Sequence, residues 1–401
     1  MKVPHDKFCV LPWISLEASP IGTVRPCCLS RNEIVDEHGT KFGLGETSIQ
    51  TIRQSQHMQE LRKSFLQGQQ TPDCERCWNE ERAGRTSKRM HTLDRLKHVV
   101  DTEQWTDQPE PLMFLDLKLG NICNLKCRIC GSWSSSTYAA EEIKYQQEKK
   151  NNFHYVMMKL GRWPREEQRF WQDLESNLES LRYLEFTGGE PFMIQEHFDL
   201  LAKLVDRGLA ANIDIHYNTN GTMYPVGAEA LWKNFRHVEI AFSIDDVSER
   251  FEYQRAGADW TAVNGHVELF RQMRARNKNI TLQVCTTVNV FNVMYLEDVA
   301  AWIDQQDFDF VYWNMLHDAP QFCIANLPAK AKEITQARLR SGRFSVKHDT
   351  EIQRIIDFMN QGTSTDGSDL RRSVYEVDQR RGQNLNQVAP EFAFAIDYDF
   401  L

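Results

Sequence analysis

From Leu112 onward the chain alternates apolar, β-favouring runs with segments of helical spacing, and this alternation limits the possible fold more than any other feature. The runs cover residues 112–117, 181–186, 212–217, 237–243, 279–288 and 308–313. Between them, residues 195–208 place Phe198, Leu201, Leu204 and Val205 on one helical face, and 261–277 and 295–305 read the same way. Strands alternating with helices imply parallel βαβ units and right-handed crossovers, in a doubly wound sheet or a barrel-like β/α fold. The gap from Gly131 to Ser180 is too long for one helix, and its polar stretch 141–152 reads as a helical insertion.

The chain before Leu112 has a different character. Residues 1–80 bear cysteines and show little periodicity apart from a helix near 48–66. The basic stretch 81–98 is expected to be a solvated connecting helix. Past Pro328 come helical segments, a Gly/Ser/Thr/Asp break at 361–368, and an aromatic, acidic tail. A net charge of −9 argues against general nucleic-acid binding, which needs a basic face. The first ten residues lack the apolar core of a signal peptide, and no apolar run approaches the ~18 residues of a membrane helix. A cytoplasmic protein without a membrane partner is expected.

Ten cysteines sharpen the reading. Eight fall in tight groups: Cys9, Cys27 with Cys28, Cys74 with Cys77, and Cys123, Cys127 and Cys130. In a reducing compartment such grouping points to metal binding. The loop LDLKLGNICNLKCRICG sets three cysteines just after the first expected strand. Thiolates ligate iron–sulfur clusters, and three of them leave one iron of a four-iron cubane without a protein ligand. An open position distinguishes a catalytic metal site from a closed one. The alternative, a structural zinc knuckle, wants a fourth ligand, and the first histidine to follow is His154.

Cys-x3-Cys-x2-Cys after the first strand of a β/α fold resembles the signature of radical S-adenosylmethionine (radical SAM) enzymes. The resemblance covers about residues 112–328. It implies a [4Fe–4S] cluster whose open iron chelates SAM, and reductive cleavage of SAM to a 5′-deoxyadenosyl radical that abstracts hydrogen from a substrate. Thr187-Gly188-Gly189-Glu190-Pro191 is similar to the motif that contacts the SAM amino group. Asn218, Asn220, Ser243 and Asp245 match positions that hold the ribose, and Arg255 a position for the SAM carboxylate. Asn289 is a further polar contact. Every one of these follows an expected strand, where β/α barrels carry their active sites. The fold class implied is α/β, a partial (β/α)6 TIM-like barrel with an N-terminal auxiliary cluster module and a helical C-terminal extension. The boundaries are 1–100, 101–335 and 336–401.

Twelve residues separate Cys9 from Gly22 and four separate Gly22 from Cys27, in FCVLPWISLEASPIGTVRPCC. This resembles the start of a SPASM or twitch module, which usually follows the barrel. Cys9, Cys27 or Cys28, Cys74 and Cys77 would then close a second, auxiliary [4Fe–4S] cluster. A four-cysteine zinc site satisfies the same residues. Five cysteines fall short of the seven-cysteine SPASM pattern, so the single-cluster twitch form fits better. Residues 377–391 also resemble a closing element of twitch-containing relatives. The resemblance further implies an electron donor such as flavodoxin or ferredoxin. A peptide or protein side chain is the first substrate expected, and a small polar metabolite such as an amino sugar or cyclitol the second. Asp245, His317 and Cys323 are the candidate catalytic residues on the substrate side, with Asp318 beside them. Cys285, mid-strand, is expected to pack in the core. The reading of another class is a zinc-stabilised binding protein without catalysis.

Overall fold

The computed structural model describes residues 2–398 apart from residues 83, 85, 98 and 101. Its strands are β1 (Ser15–Ala18), β2 (Val24–Arg25), β3 (Phe114–Lys118), β4 (Lys126–Cys127), β5 (Tyr183–Thr187), β6 (Asp214–Thr219), β7 (His237–Ser243), β8 (Arg255–Ala256), β9 (Ile280–Val288) and β10 (Phe310–Met315). Eight form one sheet in the order β10-β9-β7-β6-β5-β3-β1-β2, and β4 pairs with β8 apart from it. All six expected strands are present. Most begin one or two residues late because their leading residues close local turns. Leu181 bonds back to Leu178, and Ile213 to Ala210.

β1 and β2 extend the sheet beyond the six expected strands. β1 lies parallel to β3 and antiparallel to β2. Four residues with a central glutamate give little strand signal, yet Ser15–Ala18 is buried throughout.

The chain forms two compact units. The first holds residues 1–123, 132–218 and 226–239. In its sheet, register aligns Arg25, Glu17, Asp116, Glu185 and His216 in one row across β2, β1, β3, β5 and β6. Strand side chains alternate between faces, so the neighbours Leu16, Leu115, Leu184 and Ile215 form an apolar face. All four are fully buried. The expected solvated helix over 81–98 is corrected here. The described residues give helices Glu75–Arg82 and Lys88–Leu96, and residues 83, 85 and 98 lie outside the description. Ser87 caps the second helix, and its cations are engaged rather than solvated. Arg89 is buried on Glu81 and on the carbonyls of Asp6 and Phe8. Lys88 reaches Glu185.

The second unit holds residues 124–131, 219–225 and 240–401. β9 and β10 pair in parallel. Along β9 the residues Ile280, Leu282, Val284, Thr286 and Val288 are buried, while Thr281, Gln283, Cys285 and Thr287 are half-buried on the other face. Cys285 is therefore not packed among the buried aliphatic residues, as expected of it, but on the polar face.

The chain after β10 forms helices Ala329–Ser341, which spans the expected boundary at 335/336, Asp349–Gln361 and Ser368–Arg381. Its last long helix is tied to the cysteine loop. Arg128, between Cys127 and Cys130, donates to Asp378 and Gln383 and to the carbonyl of Tyr253. Asp378 also accepts from Tyr253 Oη at 2.9 Å, Leu385 N at 2.9 Å and Tyr398 Oη at 2.8 Å. This gives residues 377–391 a physical role: they close over the loop through one buried carboxylate. Among the described residues no helix is long and apolar enough to cross a membrane.

Arg128 and Asp378 are almost wholly inaccessible, and removing one partner of such a pair leaves an uncompensated buried charge. Asp378→Ala is expected to destabilise by about 3–5 kcal/mol, read as a lower urea midpoint. An unchanged midpoint would contradict this assignment.

Candidate iron–sulfur and cofactor site

Cys9 precedes a short helix, Cys27 and Cys28 follow β2, and Cys74 and Cys77 flank the start of helix Glu75–Arg82. The first unit brings Cys9, Cys27, Cys74 and Cys77 within electrostatic reach of one another. Burial, then the Cys74 and Cys27 thiols, pushes Cys9 well up. Burial, then Cys74 and Cys77, pushes Cys27 up to about 12. Burial pushes Cys74 up to about 11, with Cys77 adding to it. Four buried or half-buried cysteines, three of them raised by neighbouring thiols, suit ligation by a shared cationic centre, which takes up the negative charge they resist carrying alone.

Cys28 turns elsewhere. After burial, the groups acting on it are Lys88, which opposes, and Asp116, Glu185 and, last, Cys27, which add to it. Cys28 Sγ lies within 4.8 Å of a carboxylate oxygen of Asp116 and of Glu185, whereas the thiols acting on Cys27 are those of Cys74 and Cys77.

Cys123 is buried in the first unit, and its amide donates to Ser136 Oγ at 3.4 Å. The Thr187–Pro191 turn is fixed against the same loop. Gly188 and Gly189 have φ of +76° and +45°, and a Cβ on Gly189 would stand 2.2 Å from the Ile122 carbonyl oxygen. Only glycine permits that approach. Glu190 is buried, donates its amide to Ile122 O at 2.7 Å, and accepts from Phe192 N through Oε1. Asn218 lies within β6, one position from its end.

In the second unit Cys127 is the register partner of Arg255 across β4 and β8. A hydrogen bond from Cys130, opposed by burial and assisted by the Arg255 guanidinium, brings Cys127 down to about 7. Cys130 is exposed. Arg255 Nη1 lies 3.9 Å from Cys127 Sγ, and Nη2 donates to Asp245 at 2.6 Å. Asp245 is held in turn by Thr287 N at 2.9 Å, and its carbonyl accepts from Asn292 Nδ2 at 2.7 Å. Arg255 Nε is buried without an acceptor, so a donor remains for an anionic ligand. A guanidinium suits a carboxylate.

Asn220 donates to Asn124 at 3.1 Å, and Asn289 to Gln254 and to the Thr287 carbonyl. Ser243 ends β7. Burial pushes Cys285 up to about 12, with Asp245 adding to it and Arg255 opposing. His317 is exposed and edge-on to Phe358, with ring centroids 5.1 Å apart. Exposed Asp318 adjoins it. Cys323 is buried, and the charged group acting on it is Lys332. Asp245, His317 and Cys323 thus stand in three different surroundings.

Thr287, Asn292 and Asn124 are site-supporting residues that sequence reasoning missed. Asn124 follows a cysteine, Thr287 lies near the end of β9 and Asn292 four residues past it, signals present but common.

Residues 117–304 match the model of the radical SAM superfamily, and residues 9–78 match that of the SPASM iron–sulfur cluster-binding domain. The chain is a radical SAM protein. Its cofactors are S-adenosylmethionine and a [4Fe–4S] cluster, and its SPASM domain brings auxiliary iron–sulfur ligation ahead of the barrel rather than after it. No curated protein matches this radical SAM protein. Among solved structures it is similar to native anSMEcpe with bound AdoMet, at 20% identity over 49% of this chain and 50% of that one, with a TM-score of 0.31. It therefore spans about half the length of that structure. It is also similar to Streptococcus suis SuiB bound to precursor peptide SuiA, at 12% identity over 79% and 68% of the two chains, with a TM-score of 0.33. TYW1 with a lysine-pyruvate adduct shares 11% identity over 56% and 72%, with a TM-score of 0.32.

Two substitutions test the site. Cys27→Ser is expected to lower bound iron from about eight to about four atoms per chain, as loss of one cubane requires, while Cys28→Ser retains all of it. Iron analysis of anaerobically purified protein decides, and equal losses would contradict the assignment. Gly189→Ala is expected to destabilise by more than ~1 kcal/mol, since both φ and the Ile122 approach forbid a Cβ, with a lower melting temperature as the readout.

Proposed function

We propose that this radical SAM protein cleaves S-adenosylmethionine reductively and abstracts hydrogen from a peptide or protein side chain, oxidising or cross-linking it. When bound, the cluster and S-adenosylmethionine supply a carbon radical able to take a hydrogen atom, and orientation and seclusion are left to the protein. Cys123, Cys127 and Cys130 are assigned as the three protein ligands of the catalytic cluster. Arg255, kept in place by Asp245, offers its unpaired Nε to the SAM carboxylate. Glu190 accepts from the ammonium group, and Asn218, Asn220, Ser243, Asp245 and Asn289 serve the remaining polar groups. Cys9, Cys27, Cys74 and Cys77 are assigned to one auxiliary [4Fe–4S] cluster, within a module ending near residue 100. The barrel then runs to about 335 and the extension from 336. Flavodoxin or ferredoxin is the expected class of electron donor.

The observation that supports the reading is the pairing of Cys127, the assigned ligand, with Arg255, whose guanidinium is buried and incompletely satisfied. A peptide is favoured over a small metabolite by the edge strand β10. It ends the sheet, and Phe310 and Tyr312 are about half exposed there, at 53% and 51%. An extended peptide can add to such an edge by backbone pairing, with the aromatic rings as side-chain contacts.

The test is anaerobic incubation with S-adenosylmethionine and a strong reductant. 5′-Deoxyadenosine is expected from the native chain and not from the triple Cys123/Cys127/Cys130→Ala variant, which should retain about four irons at the N-terminal cysteines. No nucleoside from an iron-replete native chain would overturn the proposal.

A further inference from the structure

Asp116 on β3 and Glu185 on β5 are register partners, and Cys28 meets both. The Cys28 Sγ and one carboxylate oxygen of each acid all lie within 4.8 Å of one another. Asp116 is 1% exposed, and neither of its oxygens has a hydrogen-bond partner. A buried carboxylate left without a donor is unfavourable by several kcal/mol in general, so a site built around one calls for a cation. The nearby ammonium groups are already engaged. Lys88 Nζ donates to Glu185 Oε2 at 2.6 Å, and Lys118 Nζ to Glu17 Oε1 at 2.7 Å. Arg25 makes a two-pronged contact with the same Glu17, at 2.8 and 2.9 Å.

We propose that Cys28, Asp116 and Glu185 form a binding site for a zinc-type divalent cation, separate from both cluster sites. The ligand set selects the ion. One thiolate with two carboxylates suits zinc, whereas magnesium and calcium take oxygen ligands alone. Charge balance agrees. Binding releases the thiol proton, and the thiolate and two carboxylates then carry three negative charges. The divalent cation and the Lys88 ammonium offset these in full. Lys88 is thus a counter-charge hydrogen-bonded to a ligand, a common support for metal-bound carboxylates. Three protein ligands leave a fourth position open, the arrangement of zinc sites that bind water or substrate. An organic ammonium could pair with Asp116 instead, but it would make no use of the thiol.

The site is independent of the proposed reaction, and the test keeps the two apart. The full chain, with its iron in place, is exposed to zinc, desalted anaerobically and measured for metals and for zinc-edge X-ray absorption. One zinc per chain is expected, with a single sulfur near ~2.3 Å and lighter ligands near ~2.0–2.2 Å. Asp116→Asn and Cys28→Ser should each weaken zinc retention at least ~10-fold, the usual effect of losing a ligand or its partner, with iron unchanged. Zinc that washes out, zinc surrounded by four sulfurs, or zinc indifferent to both substitutions overturns the proposal. If Asp116→Asn does not fold, the native spectrum and Cys28→Ser still decide. 5′-Deoxyadenosine formation on the same sample reports separately on the reaction.

Discussion

Buried thiols that crowd together cannot all ionise unless a cation joins them. That constraint governs the N-terminal cysteine group of this protein. At the N-terminus, burial and neighbouring thiols raise Cys9, Cys27 and Cys74, so the group carries thiolate charge only where a cation shares it. In the loop after β3 the protein adds a cation of its own. Arg255 lies alongside Cys127, and a hydrogen bond from Cys130 completes the bias toward the thiolate. One group is suited to closure by a shared metal centre. The other keeps a donor in reserve beside it.

The remaining architecture holds these groups in place. A two-residue ladder between β4 and β8 fixes Cys127 against Arg255. Asp245 orients the guanidinium and is itself fixed by Thr287 and Asn292. Arg128, within the cysteine loop, is anchored by Asp378 from the C-terminal extension. The extension is therefore bound up with the loop's integrity. Within the first unit the sheet has one apolar face and one charged face, and helix Lys88–Leu96 reaches the latter through Lys88. The charged face gathers Glu17, Asp116, Glu185 and His216 in one row.

Much of this was legible in the sequence, for identifiable reasons. Parallel strands buried by helices write themselves as apolar runs, so all six were visible, and glycine turns and cysteine spacing marked the site. β1 was hidden because four residues with a buried glutamate do not look like a strand. Cys27 and Cys28 were indistinguishable because adjacent side chains diverge only once the backbone is folded. The anchoring carboxylate of Asp378 lies 250 residues from Arg128, beyond the reach of any local pattern. Lys88 looked like a solvated helix cation because its partner Glu185 is 97 residues away. Register, too, is a property of pairing. Asp116 and Glu185 read as isolated acids until β3 and β5 align.

The central claim is a cubane bound by three protein thiolates beside a second cluster bound by four. Electron paramagnetic resonance of the dithionite-reduced chain, before and after adding S-adenosylmethionine, tests it most directly. Two overlapping signals of reduced four-iron clusters are expected, one of which changes its g-values on adding the nucleoside while the other does not. A spectrum untouched by S-adenosylmethionine, with both clusters assembled, would contradict the account.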